Sequence, residues 1–176
     1  CIKCSMENNC EEVMDNSSDN EQIIDNNDSE QVVSSDKFDI EEIDGITYVN
    51  GYMIVNKTYD LPSDYVPIGA EGYNRCNLCI TPDTMNAFKE MQADARSMGL
   101  NLYISSGYRS YDYQKTIYSN YVSRDGVSAA DKYSARAGHS EHQSGLAFDV
   151  NQINNTFDDT PEAIWLSNNC YKYGFI

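Results

Sequence analysis

The first 45 residues of this 176-residue chain set the limit on what the rest can fold into. They carry fourteen Asp and Glu against Lys3 and Lys37, a net of −12, and their apolar residues come in short pairs such as Ile23-Ile24 and Val32-Val33. Such a stretch cannot bury enough apolar surface to offset a backbone ordering cost of about 1–2 kcal/mol per residue. Composition therefore predicts a disordered, self-repelling acidic tether over 1–45 and one folded domain over 46–176. The second part is far less acidic, with fourteen acids against ten bases. A chain at −16 overall lacks the basic surface that releases counterions from phosphate, so nucleic acid is not an expected partner.

The tether begins at Cys1. A first-position cysteine followed by a polar spacer fits the mature form of a bacterial lipoprotein, with the lipid on Cys1; the alternative is a chain merely cut there. No run of about 18 or more apolar residues occurs, so a membrane anchor would be lipid rather than helix. This reading places the protein outside the cytoplasm, in the cell envelope, as a monomer. Three cysteines, Cys1, Cys4 and Cys10, fall in the tether and three, Cys76, Cys79 and Cys170, in the folded part. Cys76-Asn-Leu-Cys79 has the spacing of a zinc knuckle or redox motif but no second such pair, which leaves a structural disulfide or two small buried residues.

From Ile46 the pattern turns globular. Thr47 to Val55 reads as two strands about Asn50-Gly51, followed by a proline-punctuated loop through Leu61-Pro62 and Val66-Pro67. Thr81-Pro82 caps and starts a helix whose Met85, Phe88, Met91, Ala95 and Met98 form one core stripe, ended by Gly99. Leu100, Leu102 and Ile104 alternate as a half-buried strand. Ser110 caps a second helix that carries Gln114 and Tyr113, Ile117, Tyr118 and Tyr121; a short helix follows over 128–135. Thr160-Pro161 opens a last helix with Ala163, Leu166, Cys170 and Tyr173 on one face, and Gly174-Phe175-Ile176 reads as the start of a strand.

The chemistry concentrates in residues 138–150. Both histidines of the chain, His139 and His142, lie there, with Asp149 seven residues beyond the second. A neutral imidazole and a carboxylate make half of a catalytic zinc site, which takes three protein ligands and keeps a position for water. His139, three residues from His142 in a turn, reads as a hydrogen-bonded structural residue. Arg109, just after a strand end, either projects into a cleft to hold a carboxylate or oxyanion or is a solvated loop residue.

Ser140-x-His142-x-x-Gly145-x-Ala147-x-Asp149, preceded by Ser106-Gly107-Tyr108-Arg109-Ser110 and Gln114, resembles the VanY-like D-alanyl-D-alanine carboxypeptidases. These are zinc peptidases of bacterial cell-wall metabolism. The resemblance covers about 46–176 and implies an α+β, hedgehog/DD-peptidase-like fold, an antiparallel sheet flanked by helices. It implies Zn2+ on His142 and Asp149, Arg109 stabilising the anionic transition state, and Ser140 and Gln114 holding the substrate's terminal carboxylate. The implied function is a zinc-dependent D,D-carboxypeptidase that removes the terminal D-Ala from peptidoglycan stem peptides. L,D-carboxypeptidase or endopeptidase action are its neighbours, and a non-catalytic wall-peptide-binding lipoprotein is the alternative of another class. The family's Glu-x-x-His element, which supplies the base and third ligand, has no counterpart here, because no histidine follows His142. The expectation is a fold incomplete at the C-terminal end, either truncated or stripped of its zinc triad, with weak zinc affinity and little activity in this chain.

Overall fold

The computed structural model describes residues 3–5, 38–152 and 156–176. In chain order the elements are β1 (Lys3–Ser5), β2 (Ile40–Ile43), β3 (Ile46–Val49), β4 (Tyr52–Met53), β5 (Arg75–Cys76), α1 (Pro82–Ser97), β6 (Ile104–Ser106), β7 (Tyr108–Arg109), α2 (Tyr111–Asp125), α3 (Val127–Tyr133), β8 (Ala147–Val150) and α4 (Pro161–Asn169), with single 3-10 turns at Glu141–Gln143 and Cys170–Tyr173. The described strands pair antiparallel throughout, in orders β1-β8-β6, β2-β3-β4 and β5-β7. The α+β expectation, small antiparallel sheets with helices beside them, is met.

The helix starts follow their sequence signals. The side chains of Thr81, Ser110 and Thr160 accept from the backbone N–H groups of Thr84, Tyr113 and Ala163, and proline opens both α1 and α4. Phe88, Met91 and Ala95 of α1 meet Phe148 and Val150 of β8 and Ala163 and Leu166 of α4 in the main core. Phe148 is its centre, edge-on to Phe88 and to Phe175 with ring centroids 5.2 Å away in each case. Burying each such side chain contributes about 1.5–3 kcal/mol. Phe175 makes a single β-bridge rather than a strand. Met98 leaves the expected stripe and is exposed, its sulfur accepting from the Trp165 indole N–H.

Three boundaries differ from expectation. The strand foreseen from Leu100 begins only at Ile104, because side chains take the place of a ladder before it: Gln92 Nε2 donates to Leu102 O at 2.6 Å and Tyr103 N donates to Asn151 Oδ1 at 2.9 Å. The boundary at residue 45 falls inside a hairpin. Asp44 and Gly45, both at positive φ, form a tight turn of the same kind as Asn50-Gly51 and join β2 to β3. Within the expected tether, Lys3–Ser5 also pairs along β8, Lys3 opposite Asp149. The rest of that segment, residues 1–2 and 6–37 with Cys1, where a lipid was expected, lies outside the described residues.

Candidate active site

The 3-10 turn Glu141–Gln143 and β8 frame the site from one segment. Gly145 between them has φ +74, and a Cβ there would press on Pro67 Cγ at 2.8 Å, so the segment folds tightly under the proline loop. Gly145 O accepts from Thr81 N at 2.9 Å, Gln143 Nε2 donates to Pro62 O at 2.9 Å, and Gly138 O accepts from Leu61 N at 2.9 Å. The segment is thereby fastened both to the start of α1 and to the 56–67 loop. His139 takes part in that fastening, with Nδ1 2.8 Å from Asn56 O.

His142, 2% exposed, is held differently. Its Nδ1 lies 2.7 Å from the carbonyl oxygen of Gly107, which can only accept, so Nδ1 carries the proton. In the neutral ring Nε2 then offers a lone pair, and it stands 3.4 Å from Asp149 Oδ2. Two electron-pair donors at that distance can share one cation. A backbone carbonyl orienting a histidine in this way is the usual support of a metal ligand. Gly107 itself is required: a Cβ would collide with the carbonyl oxygen of Asn77 and meet Cys76 O at 3.0 Å. Asn77 sits in the loop closed by the Cys76–Cys79 disulfide, so that bridge backs the histidine's acceptor. Cys170 is a free thiol.

The residues named from the sequence come together in one cleft of about 650 Å³ lined by Arg109, Gln114, Ser140, His142 and Asp149. Ser140 is 4% exposed and Gln114 2%. Arg109 is half-buried at the end of β7; desolvation pushes its pKa down and nearby Asp149 pulls it back up, so the guanidinium stays charged. Its Nε is buried without a hydrogen-bond partner, as is Gln114 Oε1. Gln114 Nε2 donates to Ala135 O at 2.7 Å, which leaves the amide's acceptor end unpaired. The carboxylate-holding role expected of Gln114 needs a donor, and the structure commits that donor to α3's exit; the available atom suits a peptide N–H instead.

Sequence reasoning missed Arg75, Gly107 as the carbonyl acceptor that holds His142, and the cleft's aromatic wall of Tyr113, Tyr121 and Tyr133. Tyr113 and Tyr121 sit on α2, the helix already expected after Ser110. Arg75 left no local signal, since its place depends on pairing with β7.

The donor pair His142 and Asp149 fits a zinc ion, and among the described residues no group of three His, Cys, Asp or Glu gathers to hold a metal. Comparison with known proteins identifies the family. Residues 77–176 match the family described as VanY, D-alanyl-D-alanine carboxypeptidase. YodJ of Bacillus subtilis (strain 168), provisionally named a carboxypeptidase, is 36% identical over 78% of this chain, and the chain spans 57% of that relative's length. The solved LdcB LD-carboxypeptidase superposes with TM-score 0.66 at 35% identity, covering 79% of this chain and 73% of that one. The vancomycin-resistance D,D-pentapeptidase VanY, solved in complex with Zn(II), gives TM-score 0.54 at 27% identity, covering 70% and 73%. On its matched sequence, its hedgehog/DD-peptidase-like fold and these neighbours, the chain belongs to the VanY D-alanyl-D-alanine carboxypeptidase family.

Proposed function

We propose that this chain carries the metal-binding and substrate-holding part of a zinc D,D-carboxypeptidase that removes the terminal D-Ala from peptidoglycan stem peptides. One observation carries the reading: His142 Nε2 and Asp149 Oδ2 converge to 3.4 Å in the cleft that also holds the partnerless Nε of Arg109. When bound between His142 and Asp149, zinc supplies a Lewis acid that activates water and polarises the scissile carbonyl. This chain's described residues orient the metal ligand and hold the substrate; the base that takes the water's proton is not among the residues assigned a role. Gly107 O keeps the His142 lone pair aimed into the cleft. Arg109 meets the negative charge that develops on the carbonyl oxygen, an interaction whose loss costs about 2.7–4 kcal/mol in comparable sites. Gln114 Oε1 accepts a substrate N–H, and the Ser140 hydroxyl donates to the terminal carboxylate.

A second reading is L,D-carboxypeptidase action on tetrapeptides, favoured by the higher TM-score and identity to LdcB than to the D,D-pentapeptidase. Mass spectrometry of D-alanine release by the whole protein separates the two. A pentapeptide ending in D-Ala-D-Ala is the expected substrate, with release lost on chelation and restored by zinc. Release only from a tetrapeptide ending in one D-Ala establishes the second reading, and chelator-insensitive or absent release sinks both. Placement in the envelope through a lipid on Cys1 belongs to the same proposal, supported by the Cys76–Cys79 disulfide. Replacing Cys1 in the precursor is expected to free the protein from membranes; unchanged fractionation contradicts the anchor.

A further inference from the structure

Arg75 and Arg109 face each other across the β5–β7 ladder as Cα partners. Directly opposed residues of an antiparallel pair project from the same face, and like charges so placed are destabilising. Here that face is the cleft, which both arginines line. Two other arginines of this acidic chain do have carboxylate partners: Arg124 pairs with Asp125 at 2.7 Å and Arg136 with Asp131 at 2.8 Å. Arg75 has no such partner among the described residues, and its guanidinium reaches only the Tyr113 hydroxyl, at 3.5 Å.

In the reading above Arg109 serves the oxyanion and Ser140 the terminal carboxylate, which leaves the second guanidinium for another anion. Arg109 is half-buried beside Asp149, whereas Arg75 is exposed at the cleft's mouth. An exopeptidase encloses the free end of its substrate and stays open where the rest of the peptide leads away. The open side is Arg75's side.

We propose that Arg75 binds a second carboxylate, carried by the part of the stem peptide retained after cleavage, and so makes the site selective for acidic peptides. The direction of the peptide rests on the carboxypeptidase reading above. Stem peptides offer this chemistry at two places, a diaminopimelate side-chain carboxylate at the third residue and the free α-carboxylate of an isoglutamate at the second. Calorimetric titration of the chain with two matched peptide pairs, diaminopimelate against lysine and isoglutamate against isoglutamine, tests it. In at least one pair the acidic peptide binds about tenfold tighter, the effect of one charge-assisted hydrogen-bonded pair. The pair that discriminates identifies the carboxylate. Arg75→Gln brings the two members within twofold, and Arg75→Lys keeps part of the preference. Equal binding in both pairs, no binding of any peptide, or a preference that survives in R75Q overturns the assignment. D-alanine release is followed alongside in the whole protein: acid preference without release removes the carboxypeptidase reading and leaves the Arg75 site standing.

Discussion

Phe148 and Asp149 are neighbours in β8, yet one packs between two phenylalanine rings while the other lines a cleft where Arg109 and Gln114 hold buried polar atoms without partners. The core face is saturated: every group there has what it needs. The cleft face is arranged around something absent from the chain itself, and partnerless polar atoms in a buried setting cost about 1–3 kcal/mol each until a ligand meets them. Strand alternation lets four residues serve both purposes without conflict.

Substitutions on the two faces therefore have opposite signatures. Phe148→Ala removes the ring from the centre of the core and is expected to lower stability by about 3–5 kcal/mol in denaturant unfolding, a loss under about 1 kcal/mol contradicting its central place. Arg109→Ala lowers kcat/KM of the whole protein by about 2.7–4 kcal/mol of transition-state stabilisation while leaving the unfolding midpoint level or raised. A fall in stability matching the fall in rate would make Arg109 a core residue after all. Gly107→Ala tests the join between the faces and the disulfide loop. The added methyl must displace Asn77 and with it the acceptor of His142, so zinc affinity drops about 10–100-fold, the usual effect of losing a supporting contact. Unchanged affinity contradicts the orienting role of that carbonyl.

The smallest effect is expected at the outer ion pairs. Hydrogen bonds from Arg136, then from Tyr118, hold the Asp131 carboxyl down to about 2. A depressed carboxyl stabilises the fold above its ordinary value near 3.8 and loses that contribution as pH falls toward about 2. Carboxyl NMR should give Asp131 a midpoint near the lower value and Arg136→Ala should raise it toward the ordinary carboxylate range; an ordinary midpoint in the unmodified protein refutes the pairing. At neutral pH the fold is expected to lose only a small part of its stability on that substitution, because the pair is solvent-exposed.

What was legible in the sequence was local chemistry. Thr81-Pro82, Ser110 and Thr160-Pro161 start helices where they stand, and Asn50-Gly51 turns its hairpin, because caps and turns depend on neighbouring residues. Asp44-Gly45 carried the same turn signal, but the acidic composition around it made its strand read as tether; in the structure Ile40 and Ile43 of that strand are both exposed. His142 and Asp149 stood out by their chemistry, while Ser140, Gln114 and the role of Arg109 came from the family resemblance; all five line one cleft. Long-range facts were not legible. Nothing near Arg75 announces its pairing with Arg109, Gln92 and Asn151 reach across the fold to replace strand bonds at Leu102 and Tyr103, and which end of the Gln114 amide stays free depends on Ala135.

The central claim is that His142 and Asp149 hold the metal while His139 holds the fold. The chain has two histidines, so ring-nitrogen NMR during a zinc titration reads both sites and is blind to cysteine binding in the tether. The expected result is a zinc-dependent shift of the His142 Nε2 signal, no shift for His139, and loss of the His142 response in Asp149→Ala at the same zinc concentration. A shift at His139, or a His142 response that persists without Asp149, would contradict the account.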